Sequence, residues 1–189
     1  MNWLYTALSL ITVTVNTSVS SPQLLNPDNY DLATCSGVFV SPSEILTAGH
    51  CVKHSRGHQW IKTDEGISYA VTIERTDFIK DLALLKVTKP LNHKYAVLGE
   101  PIKITESVFT VNSGQGYDHT FNSGIVNNLI IEEETDILTI LHNAQIMPGA
   151  SGSGLFNAKG ELVGINVAML KTFSEAVDIY EIKSFLRKR

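Results

Sequence analysis

Met147-Pro148-Gly149-Ala150-Ser151-Gly152-Ser153-Gly154-Leu155-Phe156 sets a serine between two glycines, with a third glycine behind it and an apolar, strand-like run to follow. Gly149 can adopt backbone angles closed to residues that carry a Cβ, so the amide hydrogens of Gly149 and Ser151 can converge on one point. Gly152 is expected to leave room for a substrate backbone to approach the Ser151 hydroxyl. Taken alone, the segment also describes an ordinary Gly/Ser surface turn. It marks a nucleophile only if a histidine and a carboxylate stand elsewhere in suitable settings.

The bulk properties allow such a site. A chain of 189 residues, 43% hydrophobic and 18% charged, fits one soluble domain or a pair of small subdomains sharing a core. Its net charge of −4 argues against a nucleic-acid partner, which needs a basic face. The closing Arg187-Lys188-Arg189 reads as a solvated helix end suited to the negative pole of the dipole. The first twenty residues carry no charged side chain, and their apolar run over 3–15 is shorter than the ~20 residues of a spanning helix. Ser18 and Ser20 flank Val19 as at a signal-peptidase site. Residues 1–20 are therefore expected to be a secretory signal, with an uncleaved anchor or an unusual first strand as alternatives. A secreted or periplasmic chain with no stable membrane partner after cleavage follows from that expectation. No oligomeric state is read from the sequence.

Short β-rich runs recur at 35–41, 59–62, 67–73, 82–87, 104–111 and 138–141, with turn residues between them. That rhythm predicts an all-β barrel or sandwich, because βαβ units would need longer segments of helical period. Gly114-Gln115-Gly116 and Ser123-Gly124 read as turns. Glu132-Glu133-Glu134 reads as a solvated loop, since consecutive side chains on a strand alternate faces. Asn157-Ala158-Lys159-Gly160 reads as a hairpin tip. Near the end, Ile179, Ile182, Phe185 and Leu186 fall on one helical face.

Cys35 and Cys51 stand 16 positions apart. In an exported chain they have one possible pairing, worth ~3 kcal/mol by loop entropy, which would also tie His50 to a neighbouring strand. The other reading is a Cys/His metal site, but no recognised zinc spacing is present. His50 and His54 lack the intervening Glu of a metalloprotease helix, so no metal is expected.

Thr47-Ala48-Gly49-His50-Cys51 resembles the histidine motif of the chymotrypsin-like (trypsin-like) serine proteases, including the cysteine directly after the histidine. The Cys35 to Cys51 spacing resembles the bridge beside that histidine. Asp81-Leu82-Ala83-Leu84-Leu85-Lys86-Val87 resembles the family's aspartate motif, an acidic residue opening an apolar β run at the rim of a barrel core. The order His50, Asp81, Ser151 is the chymotrypsin order. Phe121-Asn122-Ser123-Gly124-Ile125-Val126 resembles a segment of the bacterial HtrA-type (Deg) branch, whose compact motif spacing also fits, although no PDZ domain is expected within these residues.

This resemblance implies an all-β fold of two six-stranded antiparallel Greek-key barrels with a short C-terminal helix. The protease domain would cover residues 21–189, with the first barrel over about 30–100, the second over about 101–177 and the helix over about 178–188. It implies a serine endopeptidase acting on protein or peptide without a cofactor. His50 would be the base, Asp81 its orienter, Ser151 the nucleophile, and the Gly149 and Ser151 amides the oxyanion hole. Gln145, Ile146 and Met147 would floor the specificity pocket, and Asn166, Val167 and Ala168 would offer backbone groups to an extended peptide. With no acid at 145–147, a small or medium apolar side chain is expected before the scissile bond. Ala150 stands where digestive relatives carry an Asp that receives a newly cut N-terminus, so activation by that ion pair is not expected. Rival readings are a catalytically silent binding protein or chaperone of the same fold, and a metal-dependent hydrolase.

Overall fold

Runs rich in Val, Ile, Leu and Thr pair into strands throughout the computed structural model, which describes residues 2–20 and 30–187. Strands β1 (Thr12–Ser20), β2 (Tyr30–Phe39), β3 (Glu44–Ala48), β4 (Ser55–Lys62), β5 (Ser68–Asp77) and β6 (Leu82–Val87) close one antiparallel barrel in the order β1-β2-β3-β6-β5-β4. Strands β7 (Ser107–Asn112), β8 (Thr120–Ile131), β9 (Leu138–His142), β10 (Gly154–Phe156), β11 (Leu162–Met169) and β12 (Ser174–Asp178) close a second in the order β10-β11-β12-β9-β8-β7. Closure leaves neither sheet an open edge. Helix α1 (Asn2–Ser9) precedes the first barrel and α2 (Ile179–Arg187) follows the second. The expected pair of six-stranded barrels with a short C-terminal helix is the fold observed.

Apolar side chains gather in three places. Val13, Val15, Phe39, Ile45, Ile61 and Leu85 fill the first barrel, and Val108, Val126, Ile140, Leu155 and Val163 fill the second. A third cluster lies in the seam, where Leu46, Leu82 and Leu84 meet Val111, Phe156, Leu162 and Ile165. Both helices seal that seam. Leu4 and Leu8 of α1, one turn apart, and Ile179, Ile182 and Phe185 of α2 belong to the same cluster. Asp178 caps α2 by accepting the Tyr180 N–H at 2.7 Å. Lys188, Arg189 and residues 21–29 lie outside the described residues.

The first twenty residues were expected to be a secretory signal, with an uncleaved anchor or an unusual first strand as alternatives. Thr12–Ser20 form β1, paired along its length with β2, from Thr12 against Val38 to Ser20 against Tyr30, and on its other side with β4. The first barrel therefore begins at Thr12 rather than near residue 30. Cleavage after Ser20 would remove a stave and expose two ladder edges. The missing charges have a packing cause, since the strand is buried on both faces. Val13 and Val15 enter the barrel, while Thr14 bonds Ser113 of the second barrel at 2.7 Å. Among the described residues no helix is long and apolar enough to cross a membrane.

A smaller correction concerns Ser123-Gly124, expected as a turn but lying inside β8. A Cβ on Gly124 would meet the Ala144 nitrogen at 2.3 Å, so this glycine marks a close backbone approach within the second barrel.

Candidate active site

The register of β3 against β6, with Ala48 opposite Leu82, brings the ends of the histidine and aspartate segments together. After β3 the chain makes a 3-10 turn over Gly49–Cys51, and the Gly49 N–H bonds the Asp81 carbonyl at 2.9 Å. Asp81 itself sits at φ +51°, a left-handed conformation that Asp tolerates better than most residues. There its carboxylate serves one residue twice. Oδ1 accepts the His50 backbone N–H and Oδ2 meets His50 Nδ1, each at 2.7 Å. A carboxylate only accepts, so Nδ1 carries the proton and Nε2 is left with a free lone pair.

Ser151 stands across the Cys35–Cys51 disulfide from this pair. Its carbonyl oxygen lies 3.8 Å from Cys51 Sγ, while a ring nitrogen of His50 lies within 4.8 Å of both sulfurs. Cys35, His50 and Cys51 thus form a cluster of metal-ligating residue types. The bridge leaves it no thiolate to offer.

Around Ser151, five successive carbonyls each have a donor. Met147 O accepts Ala150 N–H at 2.9 Å, Pro148 O accepts Gln115 N–H at 2.7 Å, and Gly149 O accepts the Ser36 hydroxyl at 2.9 Å. Ala150 O accepts Ser153 N–H at 3.0 Å and Ser151 O accepts Ser36 N–H at 2.8 Å. In a trans peptide the N–H points opposite to its carbonyl. Anchoring the carbonyls of Pro148 and Ala150 therefore fixes the directions of the Gly149 and Ser151 amides. Gly149 has φ +97°, and a Cβ there would come within 2.7 Å of Ser113 O. Gly152 departs from expectation. A Cβ on it would strike Ser36 O and Thr47 Oγ1, both at 2.2 Å, so it admits the facing barrel rather than a substrate.

Gln145, Ile146 and Met147 line a cavity of about 190 Å³ with Met169, Leu170, Lys171, Thr172, Phe173 and Ser174. A volume below the ~300–1,000 Å³ of whole small-molecule sites suits a single side chain. Lys171 is the one charged residue in that lining. A larger cavity of about 470 Å³ lies elsewhere, between Leu98–Ser107 and Asn157–Glu161, and contains no residue of this site.

Asn166 is not placed as expected. Its N–H and carbonyl are taken by Ser153 O at 2.9 Å and Gly152 N–H at 2.7 Å, so neither is free for a peptide. Its side chain, fully buried, donates to Ser153 Oγ at 2.9 Å and Thr110 Oγ1 at 3.1 Å and meets His142 Nε2 at 2.8 Å. Val167 falls in the bulge between Asn166 and Ala168, and Ala168 pairs Glu175. Both are half-buried.

His142 was not singled out by its sequence context, and it carries a testable consequence. Burial lowers its imidazole pKa from 6.5 to about 4, against the smaller upward pull of Asn166 and the Ala144 backbone. Between those values the unfolded chain holds more protons than the folded one. Stability is therefore whole above about 6.5 and is lost as the pH falls toward about 4, by on the order of 3 kcal/mol. Replacing His142 with Gln should flatten this acid limb in chemical-denaturation curves taken across that range. Asp178 and Glu175, both raised mainly by burial, act in the opposite sense, so the informative quantity is the variant minus the wild type.

Residues 35–165 match the trypsin-like peptidase domain family. The magnetosome formation protease MamE of Magnetospirillum gryphiswaldense is 32% identical over 158 residues, covering 78% of this chain and 20% of that protein. A probable periplasmic serine endoprotease, DegP-like, of Pseudomonas putida is 41% identical over 133 residues, covering 68% and 28%. The chain thus spans between a fifth and a third of the length of the curated relatives it matches first. Among solved structures, an HtrA-type protease, AlgW, with a decapeptide superposes with a TM-score of 0.86 at 19% identity, covering 99% of this chain and 67% of that one. The serine endoprotease from Yersinia pestis gives 0.82 at 21% identity, covering 99% and 65%. Since the family match runs over residues 35–165, more than half of its length, this chain belongs to the trypsin-like peptidase domain family.

Proposed function

We propose that the chain is a serine endopeptidase in which Ser151 attacks a peptide carbonyl, His50 takes its proton and Asp81 holds His50 in the competent tautomer. The observation that carries this reading is the double clasp of Asp81 on His50, which leaves Nε2 as the unoccupied base. As Ser151 Oγ bonds the carbonyl carbon, negative charge moves to the carbonyl oxygen, where the Gly149 and Ser151 amides stabilise it. Each such donor is typically worth ~3–4 kcal/mol. The proton on His50 then passes to the leaving amine, and water releases the acyl group by the reverse sequence. The charge-balanced step uses only groups of this chain.

The pocket lined by Ile146, Met147, Met169 and Phe173 supports a small or medium apolar side chain before the scissile bond. Lys171 on its wall disfavours Arg or Lys there. The substrate is a protein or peptide laid extended along Val167 and Ala168. The disulfide supports action in an oxidising compartment, secreted or periplasmic, in line with the DegP-like relative, which is named a periplasmic endoprotease.

A fluorophosphonate probe tests the nucleophile directly. Wild-type protein should become covalently labelled on Ser151, and Ser151→Ala should not. Equal labelling of the two, or none of the wild type, ends the proposal. Cleavage of a peptide library only after Arg or Lys would leave the nucleophile standing and remove the pocket assignment.

A further inference from the structure

Ser36 lies in β2, immediately after Cys35, and is fully buried. Every polar atom it owns has a partner across the seam or on the adjoining strand. Its N–H donates to Ser151 O at 2.8 Å, and its carbonyl accepts the Thr47 hydroxyl at 2.7 Å. Its own hydroxyl donates to Gly149 O at 2.9 Å and accepts the Ser113 N–H at 2.9 Å. One first-barrel residue therefore grips a second-barrel loop at Gly149, at Ser151 and through Ser113.

We infer that Ser36 is a positioning residue for the oxyanion-binding loop, holding the peptide planes that follow Gly149 and Ser151 so that the amides of these two residues, on the planes just before, stay aimed at one point. The inference rests on the peptidase reading of the same loop. Its physical basis is the freedom of Gly149. A glycine at φ +97° meets little torsional resistance to rotation of its peptide planes, so their direction must come from hydrogen bonds. On the Gly149–Ala150 plane the Ser36 hydroxyl holds the carbonyl, while Ala150 N–H is held by Met147 O from within the loop. Without that hydroxyl, Gly149 O becomes a half-buried acceptor with no donor, and a rotated plane that turns it toward water becomes competitive. The Ser36 N–H acts the same way on the plane after Ser151.

The arrangement also sets base and nucleophile to one reference. Cys35 ties β2 to Cys51, next to His50, and the following residue ties β2 to the Ser151 loop. Two neighbouring positions on one strand thus locate both halves of the site.

The experiment compares Ser36→Ala with wild type on a peptide carrying an apolar residue before the scissile bond. Losing one oxyanion donor costs about 10²–10³ in kcat, and a loop that only samples the right direction should lose about 10- to 100-fold. KM should stay within about threefold, because the ground-state carbonyl makes little use of the hole. Affinity for a peptide boronic acid, which forms the tetrahedral anion on Ser151, should fall in proportion to kcat. Thr12→Val supplies the control. It removes a hydroxyl just as buried, bonded to Leu8 O at 2.9 Å and away from the loop, and should leave kcat unchanged. Thr47→Val loosens Ser36 from behind and should show the Ser36→Ala pattern in weaker form; if Ser36→Ala does not fold, Thr47→Val decides. A kcat for Ser36→Ala within twofold of wild type, a loss confined to KM, or an equal loss in Thr12→Val overturns the role given to Ser36. Wild type that neither cleaves nor labels with fluorophosphonate overturns the peptidase reading instead.

Discussion

In an Asp81→Asn variant, kcat on a peptide substrate is expected to fall about 10⁴-fold at neutral pH while the protein stays folded. The same exchange in the Ser-His-Asp triad of chymotrypsin-like enzymes has that size, for a tautomeric reason. Asn keeps the shape of Asp and also tolerates the left-handed backbone required at φ +51°. Its single oxygen would stay with the His50 backbone N–H, now 2.7 Å from Oδ1. Its NH₂ would then face Nδ1, which must become an acceptor. The ring proton moves to Nε2, the atom that should receive the serine proton, and the base is lost. Parallel measurements of kcat, KM and thermal midpoint distinguish this from unfolding. A loss below tenfold in a folded variant would remove Asp81 from the mechanism.

The largest stability effect should come from the ion pair between Lys80 and Glu181. Lys80 precedes Asp81 in the chain, Glu181 lies in the first turn of α2, and their side chains are only 12% and 7% exposed. Lys80→Met leaves a carboxylate in an apolar wall with no cation. Removing one partner of a buried pair costs about 3–5 kcal/mol. Asp178 sharpens the effect, because burial raises its carboxyl pKa and the Glu181 charge raises it further. Replacing both partners, as Lys80→Met with Glu181→Leu, should restore much of the loss, since burying the charges cost solvation from the start. Urea unfolding of the four proteins gives the double-mutant cycle. Two single variants each within 1 kcal/mol of wild type would mean the pair is solvated in solution.

What could be read from the sequence divides along a physical line. His50, Asp81 and Ser151 stand in short segments whose chemistry is local, so motif and order pointed to them. The second barrel and α2 were legible because apolar residues repeat with the period of the element they form, as Ile179, Ile182 and Phe185 do. Asn166 was misassigned because a strand position says nothing about whether its backbone pairs within the barrel. Ser36 and His142 went unread because their partners lie 113 and 24 positions away. The N-terminal segment is ambiguous for a different reason. An uncharged, apolar segment is what export demands and also what a strand buried on both faces demands. The alternation Thr12-Val13-Thr14-Val15 was the signal favouring the strand.

That opening strand has a consequence for how the chain reaches its fold. Residues 2–20 are made before their partners, since those of β1 lie at 30–39 and 55–62 and those of α1 include Phe156, Ile179 and Phe185. Closing such distant pairings early is entropically unfavourable, so they should form late in a slow, topology-limited search. Until the second barrel is assembled, the growing polypeptide carries an unpaired, β-prone segment of the kind that self-associates. Refolding yield should accordingly depend on protein concentration even where the finished structure does not.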